Sequence, residues 1–169
     1  LHGKYEEYFS NDQLKIKGEY ALGKKDGAWL SWADNGILLK EENYKVDIRN
    51  GEQKYFFSNG KLEKRQNFLM GLLHGESKEW NDKGVLTSQG YYSLGEMVGV
   101  KKTWYKNGNL EAEVSYRKGI EEGHILKWWE NGNLKEAGAK KSGDNIGIWS
   151  NFNSSGVLET KIDYSSFGS

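Results

Sequence analysis

Few side chains in this sequence have the chemistry that catalysis needs, and they lie far apart along the chain. The three histidines are His2, His74 and His124. A histidine that acts as an acid, a base or a metal ligand needs partners that hold and tune its ring. His74 and His124 fall at different places in the repeat described below, so the sequence predicts no shared metal or acid–base site. The chain has no cysteine, which excludes disulfides and thiolate chemistry.

Neighbouring carboxylates, such as Glu41 and Glu42 or Glu121 and Glu122, are a second pattern that could support acid–base catalysis. On strands, however, adjacent side chains point to opposite faces and do not converge on one substrate. The sequence contains neither glycine-rich phosphate motif, G-x-x-x-x-G-K-[ST] or G-x-G-x-x-G, and turns explain its 22 glycines better. We therefore predict a protein that is not an enzyme, with no catalytic residue, metal or cofactor.

The overall charge limits the kinds of partner that the chain can bind. Its 24 Lys and Arg residues balance 24 Asp and Glu residues. Nucleic-acid and anionic membrane surfaces attract strongly basic proteins, so this balance argues against both. A protein partner of unknown identity, or a second copy of the chain, fits better. The sequence begins with Leu1, which we interpret as the start of a fragment or processed product, and it indicates no cellular compartment.

Glycine recurs every 24 residues along almost the whole chain, and we number positions in each 24-residue unit from it. These position-1 glycines are Gly3, Gly27, Gly51, Gly75, Gly99, Gly123 and Gly147. Position 6 is always aromatic: Tyr8, Trp32, Phe56, Trp80, Trp104, Trp128 and Phe152. Position 12 is always leucine: Leu14, Leu38, Leu62, Leu86, Leu110, Leu134 and Leu158. A strict period of this length indicates a repeat architecture.

Each unit reads as a β-hairpin, because two segments rich in aromatic or branched residues flank a turn such as "KNG" at Lys106. A two-residue Asn-Gly turn is one alternative. We favour a three-residue loop over positions 8 to 10, with glycine at positive φ, because it places position 6 opposite position 12. Since side chains alternate, the tyrosines common at position 18 then join the same face. This face is the predicted core, and Leu86 is a central member.

A glycine at position 21 of five units predicts a second tight turn between units. The sequence therefore predicts an all-β fold: seven 24-residue β-hairpin units that form an elongated, twisted, single-layer antiparallel meander. We expect one repeat domain over residues 1–169, with units that start at residues 3, 27, 51, 75, 99, 123 and 147. Stacking buries the apolar face that one hairpin alone leaves open.

The spacing Tyr-x-x-Gly-x-x-x-Gly followed by aromatics and "NG" resembles the MORN repeat in its bacterial variant form. It is clearest at Tyr20, Gly23, Gly27, Trp29 and Trp32, and at Tyr116, Gly119, Gly123 and Trp128. Four residues depart from the pattern: Asp12 at the hairpin glycine, Asp47 and Phe167 at the linker glycine, and Lys140 at the linker tyrosine.

The resemblance implies a binding scaffold rather than a catalyst. MORN repeats are associated with protein–protein contacts, and membrane-lipid binding has also been proposed for them. Bacterial proteins of the variant type are often labelled as antitoxin components of toxin–antitoxin pairs. We therefore expect a protein-interaction scaffold, and the resemblance implies a more specific role for it as the antitoxin-type partner of a toxin. A membrane-lipid-binding module is the alternative, and a surface-cleft enzyme is less favoured.

The odd unit positions vary in sequence, and they are predicted to form the face opposite the core. Variable positions in a regular repeat are free to encode a partner, and exposed aromatic residues are frequent interface anchors. The candidate partner-binding residues are Trp29, Tyr55, Phe57, Tyr105 and Trp129. The alternative is that these rings pack only along their own sheet.

Overall fold

The computed structural model describes residues 2–165, and the chain divides into two compact units, Leu1–Gly84 and Val85–Ser169. The strands of the first unit are β1 (Gly3–Tyr8), β2 (Leu14–Ala21), β3 (Lys24–Lys25), β4 (Gly27–Trp32), β5 (Leu38–Lys45), β6 (Ile48–Arg49), β7 (Gly51–Phe56), β8 (Leu62–Leu69) and β9 (Leu72–Trp80). They pair antiparallel in the order β1-β2-β4-β5-β7-β8-β9, while the short β3 and β6 pair with β2 and β5.

The second compact unit is built in the same way. Its strands are β10 (Leu86–Ser93), β11 (Glu96–Trp104), β12 (Leu110–Arg117), β13 (Ile120–Trp128), β14 (Leu134–Lys141), β15 (Asp144–Phe152) and β16 (Leu158–Asp163). Each strand pairs antiparallel with the next one along the chain. The predicted all-β hairpin repeat is confirmed. None of the described residues forms a helix with the length and apolarity needed to cross a membrane.

The first turn of each hairpin has the predicted three-residue loop. In unit 5 the amide of Tyr105 donates to the carbonyl of Asn109 at 2.9 Å, and Trp104 lies opposite Leu110. Gly108 has a φ of 90°, as the loop requires. In the first hairpin Asp12 takes the same left-handed conformation with a φ of 62°.

A β-bulge follows the first turn of units 1, 2, 3, 5, 6 and 7 and exchanges the faces of the second strand. Trp104 pairs with Leu110, but Thr103 pairs with Ala112, which leaves Glu111 at position 13 without a residue opposite it. Beyond that extra residue the side chains point to the other face. The prediction that the position-18 tyrosines share a face with the leucines is therefore wrong. Tyr20 instead contacts Trp29 at position 3, with ring centroids 4.9 Å apart.

The position-1 glycines mark a second irregularity, which lies inside the sheet. All seven have a positive φ, from 62° at Gly147 to 107° at Gly123. At Gly123 the pairing between β12 and β13 shifts, because Val114 pairs with Ile125 while Tyr116 pairs with Glu121. A glycine recurs here because a bulge in this backbone conformation disfavours any side chain.

The most buried side chains lie on the face of positions 3 and 16, where the sequence predicted the recognition surface. Within the described residues, the buried apolar side chains are Trp29, Ile125 and Trp149, and the buried polar ones are Gln53 and Ser77, all at position 3. The repeat leucines are only half-buried, as Leu86 is, or exposed, as Leu158 is. The predicted core face is therefore wrong, because the bulge at position 13 carries the tyrosines to the other side of the sheet.

Candidate functional site

The position-3 side chains bind the backbone next to the bulge at position 1. The indole Nε1 of Trp29 donates to the carbonyl of Glu19 at 3.2 Å, and Trp149 donates to Ala139 at 3.1 Å. Gln53, fully buried, accepts from the amide of Asn43 and donates to its carbonyl. These bonds join the position-3 side chains to the neighbouring strand, where the carbonyls of Glu19 and Asn43 also accept from the amides of Asp26 and Asn50.

Trp29 is therefore part of the core, and the prediction that it is an exposed partner anchor is wrong. Only 5% of its surface is accessible. The ring lies against the backbone of Gly18, where an added Cβ would be 2.3 Å from the indole. Trp149 lies on Gly138 in the same way. This Trp–Gly pair is a recurring core element of the repeat, because only glycine lets the indole approach the strand so closely.

Tyr55 and Phe57 are half-buried, so their predicted partial exposure agrees with the structure. The hydroxyl of Tyr55 donates to Oε1 of Glu42 at 3.2 Å. Burial, together with the nearby Glu42 carboxylate, raises the pKa of Tyr55 to about 12. Phe57 closes the first turn of its hairpin through its backbone. Neither ring projects freely from the sheet.

Tyr105 and Trp129, both at position 7, are also half-buried. The hydroxyl of Tyr105 donates to the carbonyl of Trp128 at 2.7 Å, and Nε1 of Trp129 donates to the carbonyl of Phe152 at 2.9 Å. Each ring thus reaches the first turn of the following hairpin. Internal packing explains these aromatics well, and their role in partner binding stays a prediction.

The second turns, which join one hairpin to the next, expose aliphatic side chains that the sequence analysis did not single out. Leu22, Val46 and Met70 occupy position 20 in the first compact unit and are 90%, 50% and 75% exposed. Their φ values are 51°, 54° and 50°, and position 21 also has a positive φ at Gly23, Asp47 and Gly71. Two successive positive φ values are typical of a type I′ turn, which favours Asn, Asp or Gly at this position.

These turns form one continuous surface in the first compact unit, because each turn bonds to the one before it. The amide of Asp47 donates to the carbonyl of Lys25 at 3.0 Å, and the amide of Gly71 donates to Arg49 at 2.9 Å. Three further aliphatic residues on this surface are more than one-third exposed: Ile48, Leu69 and Leu72. We call the six residues Leu22, Val46, Ile48, Leu69, Met70 and Leu72 the turn edge.

The turn edge combines two unfavourable features at the same residues. A non-glycine residue in the left-handed region costs about 1–2 kcal/mol, and the cost is greater for a β-branched residue such as Val46. Exposure of the side chain also forgoes the gain from apolar burial. Leu94 repeats this arrangement in the second compact unit, with a φ of 48° and 55% exposure. One feature of the sequence indicates these exposed residues. An aliphatic residue precedes the linker glycine, at a position where a turn of this type favours asparagine.

Basic side chains lie in the same turns as the turn edge. Lys24 and Lys45 are exposed, and within residues 2–165 neither ammonium group forms an ion pair. Arg49 lies beside Glu42 at 3.4 Å, and the Asp47 carboxylate accepts from the amide of Lys25 at 2.7 Å. The exposed charge nearest to the aliphatic side chains is therefore mainly positive.

The remaining polar clusters are spread over open strand faces. Among the described residues, no group of three or more His, Asp and Glu side chains could hold a metal ion. Nδ1 of His124 lies 3.3 Å from Oγ of Ser115, and the histidine is exposed. A nucleophile–base pair needs a third group to orient the base and an environment that limits water.

Comparison with known proteins places the repeat in a described group. A family model described as MORN repeat variant matches residues 1–21, 25–45, 49–69, 73–93 and 97–118. No curated protein matches the chain. Among solved structures, the crystal structure of a protein of unknown function from Bacteroides fragilis aligns at 13% identity over 98% of this chain and 95% of that one, with a TM-score of 0.17. So low a TM-score supports no conclusion about shared function or fold.

Proposed function

Since the chain belongs to the family of MORN repeat variants, we propose that it is a non-catalytic scaffold that binds a protein partner through the turn edge. The observation that carries the proposal is the exposure of Leu22, Val46 and Met70 in left-handed backbone conformations. Backbone strain persists where the surrounding structure enforces it, and it is frequent at binding sites.

The alternative to binding is a turn edge without a function, and mutation separates the two. Asparagine at Leu22 and Met70 suits the turn and removes the exposed aliphatic surface. We expect the double variant Leu22→Asn/Met70→Asn to fold as stably as the wild type or better, and to lose partner capture from native lysate. A matched control is Val157→Asn, because Val157 is 59% exposed but lies outside the turn edge. Equal capture by wild type, double variant and control would refute the proposed surface.

The same capture experiment tests whether the half-buried aromatic residues contact the partner. The variant Phe57→Ala/Trp129→Ala removes two of the four remaining aromatic candidates, Tyr55, Phe57, Tyr105 and Trp129. If these rings serve only internal packing, the unfolding midpoint falls, while capture per folded molecule is unchanged. If they contact the partner, capture falls by more than the folded fraction does.

An antitoxin role is a more specific form of the proposed function and rests on the family resemblance alone. It predicts that the chain forms a complex with the product of a neighbouring gene and relieves its toxicity. Co-expression in a growth assay tests this directly, and continued growth arrest with the chain present would argue against it.

Binding to membrane lipid stays the alternative. Vesicles with and without anionic lipid, titrated with salt, would separate it from protein binding, because electrostatic attachment to a membrane weakens with ionic strength.

A further inference from the structure

The backbone of the turn edge limits what can dock there. In the second and third of its turns the position-21 amide is already used, because Asp47 donates to the carbonyl of Lys25 and Gly71 donates to that of Arg49. An extended peptide that adds to a sheet depends on main-chain hydrogen bonds from its host. The turn edge offers mainly side chains, so it suits a partner whose own backbone is satisfied internally, and an α-helix meets this condition.

The spacing of the turns also fits a helix. Consecutive second turns are two strands apart, which corresponds to about 9.5 Å. Seven residues of an α-helix advance about 10.5 Å. Over the two intervals from Leu22 through Val46 to Met70, the mismatch accumulates to only about 2 Å. Apolar residues at every seventh position of a helix can therefore meet the three turns in succession.

The lysines near the turn edge favour a helix over a second copy of this chain as the occupant. If two copies met by a two-fold axis at the central turn, Lys45 of each would approach its equivalent, because an isologous contact joins the same patch on both molecules. Lys24 and Lys45 have no ion-pair partner within residues 2–165, and in such a dimer the two Lys45 ammonium groups would repel each other. Both lysines instead favour an occupant with carboxylates beside its apolar stripe.

We propose that the turn edge of the first compact unit binds an acidic amphipathic α-helix of a protein partner, with apolar residues at seven-residue intervals. The inference rests on the proposed function and makes it more specific. Leu22, Val46 and Met70 contact the apolar stripe, and Ile48, Leu69 and Leu72 widen the contact. Lys24 and Lys45 pair with acidic side chains along its flank.

The test uses a fluorescein-labelled, alanine-rich peptide of 21 residues with leucine at every seventh position and glutamate on the flanking positions. Fluorescence anisotropy measures its binding to the 169-residue chain. We expect saturable binding with a Kd on the order of 10–100 µM, as for a small exposed contact surface. The affinity should fall at least tenfold in Leu22→Asn/Met70→Asn, in Lys24→Glu/Lys45→Glu, and when lysine replaces glutamate in the peptide.

Three controls make the result specific. The variant Val157→Asn should bind as the wild type does, and a scrambled peptide of the same composition should bind at least tenfold more weakly. A peptide with a central proline, which breaks the helix, should also bind at least tenfold more weakly.

No saturable binding, or equal binding by the turn-edge variants, overturns the inference. So does a concentration-dependent dimer that Lys45→Glu strengthens, because the occupant is then a second copy. Partner capture that depends on Leu22 and Met70 without peptide binding would retain the proposed function and reject the helix.

Discussion

Within residues 2–165, the first and second turns lie at opposite ends of the strands and differ in how well their residues suit the backbone. The first turns place glycine at position 10, with φ values such as 83° at Gly36 and 89° at Gly132. The second turns place Leu22, Val46, Met70 or Leu94 in the left-handed region, where glycine or asparagine is favoured. One edge therefore follows the local preferences of the chain, and the other departs from them in six units, because Lys118 and Ser142 also occupy position 20 with φ values of 49° and 54°.

The first turns, which we call the first-turn edge, are also connected to one another by asparagine side chains. In Asn59, Asn107 and Asn131, Oδ1 accepts from an amide two residues on, and Nδ2 donates to a carbonyl of the following loop. Asparagine thus serves its own turn and joins it to the next hairpin. The second turns are joined by backbone bonds and by Oδ1 of Asp47 and Asn50, which accept from the amides of Lys25 and Met70, while the aliphatic side chains stay exposed. This difference indicates that the first edge is structural and that the second is available for binding.

The largest effect is expected from Gly108→Val at the first-turn edge. We expect a loss of about 2–3 kcal/mol of stability, because a β-branched residue would be held at positive φ. Space is not the cause, since the nearest atom to an added Cβ is Cγ1 of Val85 at 3.9 Å. Gly108→Asn is the matched control and should cost much less. Chemical denaturation measures both, and equal losses would contradict a conformational origin.

The opposite sign is expected at the second-turn edge for Val46→Asn. Asparagine tolerates the left-handed conformation better than valine, so we expect a gain of about 1 kcal/mol. Ser142→Asn, at the same unit position with a φ of 54°, should gain less because serine is not β-branched. The denaturation midpoint measures the gain. A loss of stability in Val46→Asn would show that the valine side chain stabilises the turn and would remove the contrast between the edges.

Asn107→Ala tests the amide connections of the first-turn edge. It removes an accepted bond of 2.9 Å from Asn109 and a donated bond of 3.2 Å to Glu130. We expect a loss of about 1 kcal/mol, because both groups are exposed and can turn to water. Asn107→Asp keeps the acceptor and loses the donor, so its denaturation midpoint should lie between those of wild type and alanine. A midpoint unchanged by alanine would mean that these bonds do not stabilise the edge.

The smallest effect is expected for Asp12→Gly, which restores the repeat residue in the first hairpin. Asp12 already tolerates its φ of 62°, so relief of strain and the added entropy of glycine nearly cancel. We expect a change within about 0.5 kcal/mol in thermal or chemical denaturation. A larger gain would imply that the first hairpin is strained in the natural sequence.

Much of the fold was predictable from local patterns. The 24-residue period, the "NG" turns and the opposition of positions 6 and 12 are fixed by residue type and spacing. For example, Trp104 lies opposite Leu110 as the loop "KNG" predicts. The presence of a second turn was predictable from glycine at position 21. Its type I′ character was not, because Leu22 and Met70 are poor candidates for a positive φ and mask the usual sequence signal.

The candidate site was harder to predict, because the face of each side chain depends on the bulges. Position 13 carries residues as different as Leu39, Glu63 and Thr87, and no shared side chain marks the extra residue. One unpaired residue is enough to exchange the faces of the following strand. Strict alternation of side chains therefore predicts Trp29 on the recognition surface, although it lies in the core.

The sequence by itself determined the antiparallel hairpin repeat, because glycine, asparagine and alternating apolar residues act within a few positions of one another. Only the tertiary structure decided which face is buried and which edge is exposed. Those features depend on the pairing of neighbouring strands. The bulge at Gly123 is defined by a register between Val114 and Ile125, and Gly18 is recognised as a core residue only when Trp29 lies on it. Local preferences specify the hairpins, and contacts between strands assign each side chain its surroundings.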